Sequence, residues 1–133
     1  MYQDINPEIE QKIETIIQGE YEFSVLGTIG KENYPFISKI LPMLFDNKLY
    51  ILISDLSEHT NNIKENNKVS FYFSLKELNK NKLNNPRLTL IGKIKKIELD
   101  KSKKKFKNLL YAFEQIDKGS KMGGMCTDFN FYK

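Results

Sequence analysis

Leu49-Tyr50-Ile51-Leu52-Ile53 is a run of apolar residues with no polar interruption, and Ser54-Asp55-Leu56-Ser57-Glu58-His59-Thr60-Asn61-Asn62 follows it directly. A short continuous apolar run bounded by turn residues reads as a strand covered on both faces. The next segment, Ile63-Lys64-Glu65-Asn66-Asn67, reads as the body of a short helix with a polar stop, and Val69-Ser70-Phe71-Tyr72-Phe73 as another strand. Such a chain needs apolar cover on two sides of one strand. It also collects hydroxyls, an imidazole and amides where that strand turns into a helix. The first turn of a helix leaves backbone N–H groups unpaired, and its dipole favours a negative group. A phosphate would be well held there. The plainer account of the same residues is a Ser57 N-cap followed by a solvated turn.

The rest of the chain supplies the cover. Asn6-Pro7 opens a helix near 7–18, with Ile9, Ile13, Ile16 and Ile17 along one stripe and Gly19 after its end. Strands are expected near 23–29, 35–42, 48–54, 68–74, 87–98 and 127–132, and further helices near 58–65 and 101–116. The first three strands, joined at Gly30–Asn33 and Asp46-Asn47, read as an antiparallel meander. Asp100 is the expected cap of the last helix, where Phe106, Leu109, Leu110, Phe113 and Ile116 recur at helical spacing. Lys76–Asn85 reads as a surface loop and Gly119–Met125 as a flexible one; Phe129 and Phe131 share a face of the closing strand. Many short, mostly antiparallel strands with helices at their edges make a mainly β fold, a small closed or half-closed barrel of six strands. With 133 residues and no repeats, residues 1–133 are expected to form a single domain.

Several function classes drop out. No Gly-x-Gly-x-x-Gly follows a strand, and no Gly-x-Ser-x-Gly is present. One histidine and one cysteine do not make a zinc site, so no metal is expected. The lone Cys126 excludes an internal disulfide and fits a reducing cytoplasm. No run is long enough to cross a membrane, and the first residues lack a basic-then-apolar signal. Lys93, Lys95, Lys96, Lys101, Lys103, Lys104, Lys105 and Lys107 fall within fifteen residues. The aromatics among them sit at core spacing with none left to stack on bases, so a solvated charged face is expected and nucleic acid is not. Arg87 is the only arginine in a chain that otherwise uses lysine, which hints at a need for a planar, multi-donor cation.

The wording of two segments adds a further expectation. Ser54-x-Leu56-x-x-His59-Thr60-x-Asn62 between two strands, with Pro86-Arg87-Leu88-Thr89-Leu90-Ile91-Gly92 downstream, resembles the FMN-binding split-barrel family. That family includes pyridoxamine 5'-phosphate oxidase, and the match is nearest to its haem-utilisation branch. The resemblance runs from about Phe23 onward. It implies a six-stranded split barrel, a homodimer with two cofactor sites across its interface, and a small-molecule substrate. It also implies an FMN phosphate held by Ser38, Ser54, Ser57, His59 and Thr60, with Asn61 close behind and Lys39 adding charge. Arg87 falls where the family contacts the flavin ring, from the other subunit.

There are departures from the family pattern. The oxidase carries strong cations at the positions of Ser38, Glu58 and His59, and only His59 can be cationic here. Neither the oxidase's C-terminal substrate motif nor the haem-degrading branch's histidine-bearing extension has a counterpart up to Lys133. The resulting expectation is a cytoplasmic flavin-dependent oxidoreductase of unassigned substrate, with no catalytic residue identified. The alternatives are haem bound in the same cleft, with His59 as the candidate axial ligand, and a non-catalytic flavin-binding module.

Overall fold

The computed structural model of the chain describes residues 4–117 and 127–133. Cys126 and the expected loop at 119–125 lie outside the described residues. The order of elements is α1 (Pro7–Ile17), β1 (Phe23–Ile29), β2 (Pro35–Lys39), β3 (Pro42–Phe45), β4 (Lys48–Ser54), α2 (Glu58–Glu65), β5 (Lys68–Ser74), β6 (Arg87–Lys93), α3 (Lys104–Ile116) and β7 (Phe129–Tyr132). The protein is mainly β with three helices, as expected. It has seven strands rather than six, arranged as two antiparallel sheets with no closed barrel ladder among the described residues. One sheet runs β2-β1-β5-β6 and the other β3-β4-β7.

Both corrections arise where the chain changes sheets. The strand expected over 35–42 breaks after Lys39: Ile40 N–H still donates to Ser24 O at 3.2 Å, and Pro42 then opens β3 against β4. Proline has no N–H to continue the first ladder, so the break falls where one is tolerated. The three-strand meander is therefore two hairpins in different sheets. The strand expected over 87–98 ends at Lys93, after which Ile94 N–H donates to Asn67 O at 2.9 Å. Lys95 and Ile97 then bond to Lys133 and Phe131 of the other sheet. Helix α3 begins later than expected. Its N-cap is Lys103, while the Asp100 carboxylate accepts from the N–H and hydroxyl of Ser102 in the preceding turn.

Strand β4 lies between two apolar clusters. Ile51 and Ile53 face Leu26, Ile63, Val69, Phe71, Phe73, Ile94 and Tyr132 between the sheets. Tyr50 and Leu52 face Met43, Phe131 and the α3 residues Phe106, Leu109 and Phe113. The unbroken apolar run thus has cover on both sides. Helix α1 starts as its sequence dictates, with Asn6 Oδ1 accepting from Ile9 N–H at 2.9 Å and Pro7 in the first turn. Of its stripe, Ile16 packs against the inter-sheet cluster.

The β3–β4 hairpin closes with two residues, since Phe45 pairs with Lys48. Asp46 and Asn47 both take positive φ, 50° and 55°, as a two-residue turn matched to the sheet twist demands. Asn47→Gly is expected to leave stability unchanged or raised, whereas Asn47→Ala should cost roughly 1 kcal/mol. Chemical denaturation compares them, and equal stability of the two variants would show that this turn is unstrained.

Candidate functional site

Where β4 ends, the chain makes a tight turn that brings Ser57 N–H to within 3.2 Å of Ser54 O. The same carbonyl accepts from Thr60 Oγ1 at 2.6 Å and from Ser57 Oγ at 2.7 Å. Ser57 Oγ also lies 2.8 Å from His59 Nε2 and 2.9 Å from Thr60 Oγ1. On the other side of the ring, His59 Nδ1 lies 3.1 Å from Ser38 Oγ on β2. Five residues that the sequence reading singled out, Ser38, Ser54, Ser57, His59 and Thr60, are therefore one hydrogen-bonded cluster. Thr60 is fully buried, so its hydroxyl serves as the floor of the turn.

A count of hydrogens sets the protonation pattern. Ser57 and Thr60 have one hydroxyl hydrogen each, and both reach the Ser54 carbonyl. With those given, the assignment that leaves every hydrogen an acceptor has His59 Nε2–H donating to Ser57 Oγ and the Ser38 hydroxyl donating to Nδ1. That is a neutral imidazole. Burial acts in the same direction, pushing the His59 pKa below its ordinary value. Ser57 is the N-cap of α2 by position, yet its hydroxyl makes no bond to the helix N–H groups. The N–H groups of Glu58 and His59 carry no hydrogen bond among the described residues, so the start of α2 keeps donors open.

Behind the turn is a polar anchor that sequence reasoning missed. Ser54 Oγ is hydrogen-bonded to Asp128 Oδ2 and accepts from Leu56 N–H at 3.0 Å. Asp55 N–H donates to Asp128 O at 2.9 Å. Asp55 Oδ2 accepts from Asn130 Nδ2 at 2.9 Å and pairs with Lys96 Nζ at 3.5 Å. The signal available was the Asp128-x-Asn130 alternation opposite Phe129 and Phe131. Its partner strand, with Ile53 opposite Asn130, could not be read from sequence. Asn62 was also passed over in favour of Asn61. Asn62 is buried and donates to Thr28 Oγ1 at 3.0 Å, tying α2 to β1, whereas Asn61 is exposed.

Three candidate residues lie outside the cluster: Asn61, Lys39 and Arg87. Lys39 points to the outer face of the four-stranded sheet, in one cross-strand row with Val25 and Tyr72. These three residues, with Phe23, Ser74 and Glu22, line a cavity of about 840 Å³. Ser38 of the cluster and Lys39 of the cavity are consecutive in β2 and so point to opposite faces of the sheet, and no cluster residue lines the cavity. Arg87 donates to Leu83 O at 2.7 Å and Asn85 O at 3.4 Å, bracing the loop before β6. β6 and β2 are opposite edges of the sheet, about 14 Å apart at the usual strand spacing. Among the described residues, no group of three His, Cys, Asp or Glu side chains could hold a metal ion. No described helix is long and apolar enough to cross a membrane.

The depressed His59 pKa has a signed consequence. Between its folded value and the ordinary value near 6.5, the unfolded chain binds the extra proton. Stability from this group is therefore complete above about pH 6.5 and falls as pH drops through that window. His59 is the only histidine, so little else titrates there. The melting temperature of the ligand-free protein between about pH 7.5 and 5.5 should decline, and His59→Gln should flatten the decline. An unchanged slope in the variant would mean that His59 does not sense this environment.

The sequence profile of the pyridoxamine 5'-phosphate oxidase family matches residues 9–123. None of the curated proteins searched matches the sequence as a relative. Solved structures do match in fold. HutZ, the haem storage protein of Vibrio cholerae, superposes with a TM-score of 0.74 at 20% identity over 93% of this chain and 87% of its own. The haem-binding protein of Mycobacterium smegmatis gives 0.72 at 20% identity over 88% of this chain, which spans only 47% of that protein. General Stress Protein 26 of Bacillus anthracis gives 0.68 at 20% identity over 94% of this chain and 86% of its own. At such identities the likeness speaks to fold, and the profile match speaks to descent: the chain belongs to the pyridoxamine 5'-phosphate oxidase family of split-barrel proteins.

Proposed function

We propose that this protein binds FMN as a homodimer and serves as a flavin-dependent oxidoreductase, with the phosphate in the turn between β4 and α2. The observation that carries this reading is the Ser38–His59–Ser57–Thr60 cluster beside the open N–H groups of Glu58 and His59. Two backbone donors at a helix start, short hydroxyls and an imidazole that can gain a proton form a donor set suited to a phosphate. Its fit rests on hydrogen bonds more than on formal charge, with Lys39 the nearest lysine in sequence. The cavity on the outer face of the four-stranded sheet, lined by Val25 and Tyr72, has room for a planar ring. Bound flavin would supply the electron chemistry; the chain's own residues bind, orient and exclude water.

The dimer is supported by the outer face of the four-stranded sheet. Ile37, Gly27, Ser70 and Ile91 form one cross-strand row, and the two isoleucines at its ends are 69% and 81% exposed. Bulky apolar side chains open on one sheet face are what a second copy would cover. This chain's own Arg87 lies directly opposite Ser74 of the cavity lining, while the Ser38–His59 cluster is across the sheet from it, so a two-fold partner would be what brings an Arg87 to the cluster side. Haem in the same cleft is the second reading, favoured by the two haem-binding fold neighbours. Against His59 as its axial ligand, both ring nitrogens are already within hydrogen-bond distance of hydroxyls.

Two experiments test the proposal. Removing one donor to a charged group costs about 1.5–3 kcal/mol, so His59→Ala should weaken FMN by roughly ten- to hundredfold. Riboflavin, lacking the phosphate, should bind the variant nearly as well as the native protein, while Arg87→Lys should weaken both ligands. Equal losses of FMN and riboflavin at His59→Ala would remove His59 from the phosphate site. For assembly, sedimentation should give a dimer at micromolar concentration and a monomer for Ile37→Asp/Ile91→Asp. A native monomer would overturn the shared-site arrangement.

A further inference from the structure

The linear lysine cluster does not survive folding as one face. Lys96 pairs with Asp55, and Lys101 donates to Thr127 O at 2.5 Å and lies 5.9 Å from the Phe106 ring centroid. Lys93 and Lys95 go elsewhere, to the seam where the chain leaves the four-stranded sheet and joins the other. There they meet Lys48, at the start of β4, and Lys133, after β7. These four lysines with Leu49, Asn67 and Ile94 line a cavity of about 620 Å³, and no acidic residue is in its lining.

The register makes this arrangement costly. Lys68 lies directly opposite Lys93 in the β5–β6 ladder. Lys95 and Lys133 exchange both backbone hydrogen bonds, at 3.1 and 2.9 Å, so they too are a directly opposed pair. Like charges at opposed positions destabilise a sheet. The ion pairs among the described residues involve Lys12, Lys82 and Lys96, so none of these five lysines is in one. The Lys95–Lys133 pair, with Lys48 and with Lys93 whose opposed Lys68 lies outside the lining, thus borders one concave site with an apolar floor of Leu49 and Ile94.

We propose that this seam cavity is a second anion site, which takes a small ligand with several adjacent phosphates. Single phosphates would meet only one or two of the ammonium groups, whereas a chain of phosphates spans several of the four lining lysines and relieves the Lys95–Lys133 repulsion. The site is separate from the turn that bears His59. Lys48 begins β4 and Ser54 ends it, about 20 Å apart at the strand's rise per residue. Occupation would therefore be felt at the opposite end of the same buried strand.

Titration calorimetry with inorganic tripolyphosphate and with ATP at moderate salt tests this. The native protein should bind one tripolyphosphate per chain at this site. Lys93→Gln/Lys95→Gln should weaken it by roughly tenfold or more while leaving FMN affinity unchanged and the unliganded protein no less stable. His59→Ala should leave the seam binding intact, which separates this inference from the FMN proposal. Equal affinity for tripolyphosphate and ATP would identify a bare phosphate chain as sufficient; tighter ATP would assign the apolar floor to a nucleoside. Three results would overturn the proposal: an equal loss on neutralising the distant Lys12 and Lys64, tripolyphosphate binding that depends on His59, or affinity for duplex DNA without affinity for tripolyphosphate.

Discussion

Burial of β4 on both faces is the constraint on which the remaining structure depends. Its side chains alternate between two cores, Ile51 and Ile53 toward one and Tyr50 and Leu52 toward the other. A slip of one residue would exchange these sets, setting a tyrosine among residues fitted around isoleucines and the reverse. Truncating one such side chain typically costs 2–5 kcal/mol, about a third of what holds a small domain together. The register is thereby strongly specified. So is the point at which cover ends, and this is Ser54. The candidate phosphate turn takes its position from apolar packing, before any of its own polar contacts are considered.

Those polar contacts then solve a different problem. Hydroxyl and imidazole groups half-buried at the end of a strand are expensive unless paired. Here the Ser54 carbonyl absorbs the protons of Ser57 and Thr60, and the imidazole bridges Ser57 to Ser38. The side chains of the cluster satisfy one another, and among the described residues the backbone N–H groups of Glu58 and His59 are open. An entering anion would meet fixed donors first and gain the side chains by rearranging hydrogens that already lie within reach. The exchange is cheap in geometry because no heavy atom must travel far.

Much of this was legible in the sequence because it is local. The two-faced strand, the Asn6-Pro7 helix start, the Asp46-Asn47 turn and the polar cluster after Ile53 each announce themselves within a few residues. What stayed hidden depends on partners far along the chain. Ile40-Leu41 continues the apolar run of β2, so only Pro42 marks the change of sheet. The strand from Arg87 alternates onward past Lys93, although its ladder partner has by then turned away at Asn67. Asp128 and Asn130 read as the polar side of the closing strand, but what they face depends on β7 pairing with β4. Arg87, singled out for its rarity, proved to hold Leu83 and Asn85 within its own chain.

The bond between Ser54 and Asp128 joins residues 74 positions apart, and that separation has a meaning in time. On a growing chain, the β3–β4 hairpin and α2 emerge early and can close over short loops. The strand that anchors them from behind is made only after β5, β6 and α3, and its closure is the slow, entropically costly kind. The turn therefore exists as a shape well before it is held rigid. Until β7 docks against β4, the turn is a loose precursor of its folded form. Rigidity at the end of β4 is thus a late event, set by the docking of β7 and not by the hairpin that first forms the turn.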